Sequence, residues 1–438
     1  MVWLWTEEFA QAVQGSSTGL EVEQAREQAA RKIRGILTEA AAVETPNGAH
    51  SDAIYRLLDS CRVFMRDRRG IDQLLSAEVL ASPAENIKET ALMTVVKALD
   101  SFLVLVEDQN WSARVREEAL KCMINSVYSR PEFVSETLIA KGFVTRLLGV
   151  SKREGTASLH WLVWKVLLVS CEAPEVPRYL STSLETWQLI YATLLYGFKH
   201  GNQTGIVDGD RATLLLDLIK LVTVLVNDMQ LTADQEKLLP DVFTTVHQLG
   251  GLLLKILRFT HSEISPLNGS LVELKNKAME VFIFLPGSLL AAFIQQQPCT
   301  DEETGVIDGS ILSPVIDHLH AMLLVVRVEK MRPLKEMLPT LIVCHNLAKT
   351  GSPDILACFK KAILPATKSG DLVPVTAIDR TKAFFFMQLK FFLTCLDTDV
   401  RRYTSEWLFL LCDENAKEYT HHTGVGNAIG LLRMKGLA

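Results

Sequence analysis

The sequence lacks the features that mark secreted, membrane-spanning and nucleic-acid-binding proteins. Its eight cysteines are scattered and no Cys-x-x-Cys occurs, which argues against a disulfide framework or a zinc site. The start, "MVWLWTEEFAQAV", has no basic region of the kind that opens a signal peptide. The most hydrophobic run, "AFFFMQLKFFLTCL", is interrupted by Lys390 and is too short to span a bilayer. The net charge of −6 is spread without a long basic block, so nothing indicates nucleic-acid binding.

Motifs of the common enzyme classes are also missing. The chain has no G-x-x-x-x-G-K-[ST], no H-E-x-x-H, no G-x-S-x-G and no EF-hand loop. Asp208 and Asp210 lack the further oxygen ligands that calcium requires, and a solvated loop explains them. We therefore expect a cytoplasmic protein that performs no bond chemistry, holds its cysteines reduced, and needs neither a cofactor nor a metal.

The segment "EYTHHTGVGNAIGLL", residues 418–432, contains histidines and glycines of the kind found in metal and phosphate sites. His421 and His422 are adjacent, so on a helix their side chains diverge by about 100° and cannot chelate one ion together. The glycines follow G-x-G-x-x-x-G, one residue off the dinucleotide spacing, and no strand precedes them. We interpret the segment as a connection between two helices.

The remaining pattern is helical. Hydrophobic residues make up 48% of the chain and fall at helical spacing nearly everywhere. One example is "DAIYRLLDSCRVFMRD", whose apolar face comprises Ile54, Leu57, Leu58, Cys61 and Met65. Short breaks such as "SRPEF", "HGNQTG" and "TGSPD" carry residues that end one helix and cap the next. We therefore predict an all-α protein.

Some of these helices are apolar on more than one face. The helices predicted at 212–227 and 384–396 must then be buried by neighbours on both sides. Many such helices with short connections favour an α-solenoid of armadillo or HEAT type over a compact bundle. A solenoid lines a long groove that can hold an extended or helical peptide, which points to binding rather than catalysis.

Three features are candidates for such binding. In "CRVFMRDRRG", Arg62 and Arg66 are four residues apart and share a helix face, with Asp59 one turn earlier. Their planar guanidinium groups suit a carboxylate, although the pattern alone favours a solvated helix end whose charge complements the helix dipole. Asn125, within "KCMINSVYS", could hold a ligand backbone, or make an internal hydrogen bond or cap. The stripe "AFFFMQLKFF" is either core between repeats or a ligand surface.

Residues 396–437, "LDTDVRRYTSEWLFLLCDENAKEYTHHTGVGNAIGLLRMKGL", carry a family resemblance. They resemble the end of the folded region of the synembryns, the "resistance to inhibitors of cholinesterase" family. That family has L-D-T-D-V-[KR]-R, E-[FW]-L-F-[VL]-L-C and T-G-x-G-N-A-x-G-L-L at matching spacing. Upstream, "RPLKEMLPTLIVCHNLAK" and "ILACFKKAILPATKSGD" are similar to the preceding repeats. "CRVFMRDRRG" and "LKCMINSVYS" resemble the family's I-R-I-L-S-R-D-R and L-K-C-L-C-N-L-V.

The resemblance implies a right-handed solenoid with armadillo-type repeats over 1–300, continuous with HEAT/armadillo-type repeats over 301–438. It implies a chaperone and non-receptor guanine-nucleotide exchange factor for heterotrimeric G-protein α subunits, GDP-bound or nucleotide-free. The α subunit's C-terminal helix would lie in the concave groove. There Arg62 and Arg66 match arginines that meet the end of that helix, and Asn125 matches a groove asparagine. We expect a monomer that inserts in no membrane and is peripheral at the plasma membrane only through its partner.

The sequence departs from the family pattern in the middle of the groove. The family's L-F-N-I-T-F helix is matched only by "TVLVNDM", G-N-L-P becomes "IFLP" at Pro286, and an upstream histidine aligns with Lys277. The family also continues into an acidic tail bearing phosphorylation sites, whereas this chain stops at Ala438, so we expect a shortened form without that segment. The alternative function is a generic armadillo-type peptide-binding adaptor or scaffold without exchange activity.

Overall fold

In a computed structural model of the chain, the regular elements of the described residues are helices. Apart from a few isolated positions it describes residues 48–65, 98–129, 139–153, 155–199, 209–229, 239–258, 270–285, 312–330, 332–350, 352–365 and 377–437. No strand occurs in these ranges, so the all-α prediction is confirmed. None of the helices described is long and apolar enough to cross a bilayer. The chain divides into two compact units, Met1–Met229 and Gln230–Ala438.

Unit 1 is built around a ladder of four helices. Its helices are α1 (Gly48–Phe64), α2 (Ala113–Ser129), α3 (Phe143–Ser151), α4 (Ala157–Ser170), α5 (Glu175–Thr182), α6 (Leu184–Lys199) and α7 (Gly209–Met229). In the ladder, α1 packs on α2, α2 on α4, and α4 on α7, while α3, α5 and α6 pack beside it. Because α7 contacts α4, α5 and α6, the prediction that 212–227 is buried by several neighbours is confirmed.

Unit 2 stacks its helices in two rows. They are α8 (Pro240–Arg258), α9 (Ser270–Phe284), α10 (Ser313–Leu323), α11 (Leu338–Lys349), α12 (Pro353–Ile363), α13 (Ala377–Phe392), α14 (Thr398–Leu411), α15 (Ala416–Thr423) and α16 (Val425–Met434). A π-helical turn, Leu324–Val328, extends α10, and a 3₁₀ turn, Leu334–Met337, precedes α11. One row is α8–α10–α13 and the other is α9–α11–α14, with contacts between the rows. In each unit a helix contacts helices near to it in sequence, which is the packing of an α-solenoid.

The apolar face predicted for α1 forms part of the core. All five of its residues, Ile54, Leu57, Leu58, Cys61 and Met65, are at most 5% exposed. None of the seven cysteines in the described ranges is in a disulfide, and five of them are buried. Burial raises the pKa of the Cys171 thiol to about 12, so this thiol stays protonated near neutral pH. These cysteines act as small apolar side chains, as predicted, while Cys299 lies outside the described residues.

The segment that imitates a binding site is a connection between helices. Asn415 caps α15 by accepting hydrogen bonds from the backbone N–H groups of Lys417 and Glu418, at 2.9 and 3.3 Å. The chain then turns into α16 at Gly424, whose φ of +89° is unfavourable for a residue with a side chain. Asn427 Nδ2 donates to the carbonyl of Thr423 at 2.8 Å and ties the two helices together. The interpretation of 418–432 as a helix connection is therefore confirmed.

Gly197 in α6 is required by the close approach of α7. A Cβ at this position would meet Leu215 Cδ2 at 2.8 Å, and Leu215 is fully buried. We expect Gly197→Ala to lower the free energy of unfolding of unit 1 by about 1–2 kcal/mol through overpacking. Gly149 is the matched control, because it also lies two residues before the end of its helix and its added Cβ would meet nothing within 4 Å.

Gly149→Ala is expected to raise that free energy by about 0.5–1 kcal/mol, since alanine favours a helix over glycine. Urea unfolding followed by circular dichroism measures both variants. Equal shifts in the same direction would show that α6 and α7 do not approach each other as closely as described.

Candidate peptide-binding surface

A charged cluster joins the first two helices of the ladder. Arg62, in the last turn of α1, donates from Nε to Glu118 Oε1 and from Nη2 to Asp59 Oδ1. Lys121 Nζ donates to the other oxygen of Glu118 at 3.0 Å. The Glu118 side chain is 2% exposed, whereas those of Arg62 and Lys121 are 30% and 40% exposed. The acid therefore lies beneath two cations that reach solvent, and we call Asp59, Arg62, Glu118 and Lys121 the Arg62 cluster.

The cluster holds Arg62 charged and oriented. Burial of the guanidinium opposes its charge, but the hydrogen bonds and charges of Glu118 and Asp59 outweigh this effect and raise the pKa of Arg62. Nη1 makes no hydrogen bond with any described residue, so it can donate to the carboxylate of a ligand. A place in the last turn of α1 also suits the helix dipole, so the ligand role of Arg62 stays a prediction.

Asn125 lies on the same face of α2 as this cluster. It follows Lys121 by four residues and is half-buried. Within the described ranges its side chain makes no hydrogen bond, so the internal hydrogen bond considered above is not formed there. Its amide can therefore pair with a ligand backbone. Arg66 lies outside the described residues, and its place beside Arg62 stays a prediction.

A second buried acid lies further along the ladder. Asp217 on α7, 5% exposed, accepts a hydrogen bond from Trp161 Nε1 on α4 at 2.9 Å. Lys165 on α4 and Lys220 on α7 pair with it at 3.2 and 3.5 Å. Like Glu118, Asp217 anchors partly exposed lysines against the ladder.

The two buried acids, Glu118 and Asp217, are not among the predicted site residues, although a short sequence pattern marks both of them. "EALK" at 118–121 and "DLIK" at 217–220 both read as an acid, two apolar residues and a lysine. At this spacing the acid and the lysine pair on one helix face, while the apolar residues between them face the core. Ladder helices with this motif present cations held by buried carboxylates. Such a surface is suited to carboxylate groups of a peptide.

Lys277, where the sequence departs from the family pattern, forms an ion pair within its own helix. Lys277 Nζ donates to both carboxylate oxygens of Glu280, one turn later on α9, at 2.6 and 2.8 Å.

No group of three or more His, Cys, Asp or Glu residues that could hold a metal occurs in the described ranges.

Glu118→Gln is expected to lower the free energy of unfolding of unit 1 by about 1–3 kcal/mol, because a buried acceptor of two charged hydrogen bonds loses its charge. Asp59→Asn is the control in the same cluster. The side chain of Asp59 is 41% exposed, so we expect a change within about 0.5 kcal/mol. Urea midpoints measure both variants. A loss in Asp59→Asn as large as that in Glu118→Gln would contradict the anchoring role of Glu118.

Known proteins resemble the chain over most of its length. It is 25% identical over 394 residues to "Chaperone Ric-8A" of Macaca fascicularis, covering 87% of this chain and 68% of that protein. It is 26% identical over 400 residues to the protein of the same name from Bos taurus, with the same coverage. A 45-residue stretch, 10% of this chain and 8% of the relative, is 51% identical to "Chaperone Ric-8A" of Mus musculus.

Solved structures of the karyopherin Kap121p resemble the chain only weakly. Kap121p bound to Ste12p matches with a TM-score of 0.28 and 13% identity, over 98% of this chain and 48% of that chain. Kap121p alone matches with a TM-score of 0.27 and 10% identity, over 97% and 50%. The chain thus spans about half the length of Kap121p.

The family assignment rests on a match that covers most of the sequence. The model of the family described as "Guanine nucleotide exchange factor synembryn" matches residues 57–438, which include the Arg62 cluster, Asn125 and all of unit 2. The chain therefore belongs to the synembryn family.

Proposed function

We propose that this chain is a chaperone and guanine-nucleotide exchange factor for heterotrimeric G-protein α subunits. The observation that carries the proposal is the match of the synembryn family model to residues 57–438. The curated relatives named "Chaperone Ric-8A" support the chaperone role. The chain would act by binding alone, as a cytoplasmic monomer that reaches the plasma membrane through its partner.

The ladder of unit 1 would receive the C-terminal helix of the α subunit in a groove. Arg62 already has its Nε and Nη2 occupied by Glu118 and Asp59, so its free Nη1 would donate to a carboxylate at the end of that helix. Asn125, on the same face of α2, would pair with an amide and a carbonyl of the helix backbone. Arg66 would extend this contact. Repeats of armadillo type over 1–300 would form the groove, and those over 301–438 would meet the GTPase domain.

Nucleotide release would follow from linkage. In an α subunit, the C-terminal helix packs on the β-sheet and supports the loop that holds the guanine ring. A groove that binds the displaced helix favours the open conformation, and GDP binding must weaken by the same factor. A coupling of about 1–3 kcal/mol gives roughly 5–150-fold weaker nucleotide binding. GTP with magnesium would restore the closed conformation and expel the chain.

The same preference explains chaperoning. An α subunit without nucleotide is partly open, and a protein that binds this state stabilises it against unfolding by mass action. No hydrolysis or group transfer is needed for either activity.

Retention of a purified α subunit on the immobilised chain tests the proposal. We expect the nucleotide-free α subunit to be retained, and to be released when a non-hydrolysable GTP analogue and magnesium are added. A synthetic peptide of the α subunit's C-terminal helix should compete for retention.

Two results would count against the proposal. Absence of retention would exclude the α subunit as a partner. Retention that is insensitive to the GTP analogue would leave only the adaptor function, without coupling to nucleotide.

A further inference from the structure

An apolar patch covers the outer side of one row in unit 2. On α13, Phe384, Met387 and Phe391 recur at helical spacing and are 43%, 59% and 45% exposed. On the π-helical turn that extends the neighbouring α10, Leu324 and Val328 are 37% and 49% exposed. We call these five side chains the α10–α13 patch.

The two helices place these side chains in adjacent rows. The ring of His320 stacks on Phe385 at 3.9 Å, and one to two turns later the guanidinium of Arg327 lies 3.5 Å from the ring centroid of Phe391. Both contacts advance in the same direction along the chain, so α10 and α13 run parallel. Leu324 and Val328 therefore lie on the element beside the exposed stripe of α13, and the line along which two neighbouring helices meet is in general a groove at their surface.

The packing of the row does not require this surface to be apolar. α8 packs on the other side of α10, in the same row. It exposes polar and charged residues at helical spacing, including Thr244, Gln248 and Lys255. Because a helix in this row can present a polar outer face, the exposed phenylalanines and methionine of α13 indicate an interaction surface.

The patch is basic. Arg327 lies within it and forms no ion pair in the described ranges, and its buried Nε–H has no acceptor there. Arg380 begins the exposed stripe of α13 and Lys390 flanks it. Three acidic residues belong to the same elements: Asp317 on α10, Glu329 directly after the π-helical turn and at the same end as Arg327, and Asp379 directly before Arg380 on α13. An occupant with a carboxylate at the Phe391 end of the patch would complement Arg327.

Three kinds of occupant would suit an exposed apolar surface: a second copy of this chain, an anionic bilayer and an amphipathic helix. A second copy of this chain, bound symmetrically, would bring Arg327 of each copy close to the other, which is repulsive. An anionic bilayer would be attracted by the same cations as an acidic peptide, and the vesicle experiment below distinguishes the two. A groove between two parallel apolar rows fits an amphipathic helix.

From these observations we propose that the α10–α13 patch binds an acidic amphipathic helix of a partner protein. Its large apolar side chains would enter the groove between the two rows, and a carboxylate beside them would pair with Arg327. This surface belongs to unit 2, whereas Arg62 and Asn125 belong to unit 1.

A synthetic helical peptide tests the proposal on the full chain. The probe is a fluorescent peptide about 18 residues long with leucines at i, i+3 and i+7 and glutamates flanking them. We expect saturable binding by fluorescence anisotropy, weakened at least about tenfold by Phe384→Ser with Met387→Ser, and also by Arg327→Gln. Tyr128→Ser is the control, since Tyr128 is an aromatic residue of unit 1 that is 66% exposed, and it should leave binding unchanged.

Specificity controls decide the outcome. A scrambled peptide of the same composition, and one with lysine in place of glutamate, should bind at least about tenfold more weakly. Equal binding of these peptides, or binding that survives the Phe384 and Met387 substitutions, would overturn the proposal.

Binding to phosphatidylserine vesicles that Met387→Ser abolishes would overturn it in favour of a membrane. A dimer in sedimentation that Met387→Ser dissociates would overturn it in favour of a second copy. Acceleration of GDP release by the same Met387→Ser variant reports on the proposed exchange function separately.

Discussion

Arg62→Gln is expected to lower the affinity of the chain for a nucleotide-free G-protein α subunit by roughly 10–100-fold. The substitution removes a charged donor to a ligand carboxylate, and such hydrogen bonds contribute about 1.5–3 kcal/mol. Arg62→Lys should give a smaller loss, since it keeps the charge but not the planar donor group. Fluorescence titration of a labelled α subunit measures the dissociation constants.

Arg146→Gln is a closely matched control for this prediction. Arg146, in unit 1, also pairs with two acids, Asp100 and Glu107, and its side chain is 31% exposed compared with 30% for Arg62. It lies on α3, outside the ladder. We expect its loss to leave the affinity unchanged. Equal effects of the two substitutions would mean that Arg62 acts through stability and not through contact with the α subunit.

Trp407→Ala is expected to lower the free energy of unfolding of unit 2 by about 3–5 kcal/mol. Trp407 on α14 is fully buried and packs edge-to-face on Phe359, with ring centroids 5.5 Å apart. Since α14 contacts α11, α12, α13, α15 and α16, a cavity at this position loosens several helices at once. Urea unfolding, with hydrogen exchange to locate the change in unit 2, measures the effect.

Trp407→Phe separates packing from hydrogen bonding at the same position. The indole Nε1–H is buried and has no acceptor among the described residues, so its removal leaves no new unsatisfied group. We expect a loss of about 1–2 kcal/mol, well below that of Trp407→Ala. Equal losses would contradict a packing role for the ring.

The local features of the fold could be predicted from the sequence because they depend on neighbouring residues. Helical spacing identified the buried face of α1, and the glycine spacing in 418–432 identified the connection between α15 and α16. Both are determined within one or two turns of chain.

The Arg62 cluster could be predicted only in part. Asp59 is three residues from Arg62, so their pairing follows from helix geometry. Glu118 is 56 residues away, and only the packing of α1 on α2 brings it beneath the guanidinium. The sequence therefore identified the cation but not the buried acid that orients it.

The stripe "AFFFMQLKFF" shows a different limit. A run that is apolar on every side has no period that separates its two faces. In α13 the structure buries Phe385, Phe386, Leu389 and Phe392 but exposes Phe384, Met387 and Phe391. The prediction that this helix is covered on both sides is therefore wrong, and the run is core on one face and surface on the other.

The rate of GDP release from a purified α subunit, with and without this chain, tests the central proposal most directly. We predict an acceleration that rises and saturates with the concentration of the chain, and that falls in Arg62→Gln but not in Arg146→Gln. An unchanged release rate, at concentrations where the chain demonstrably binds the α subunit, would contradict the proposed exchange function.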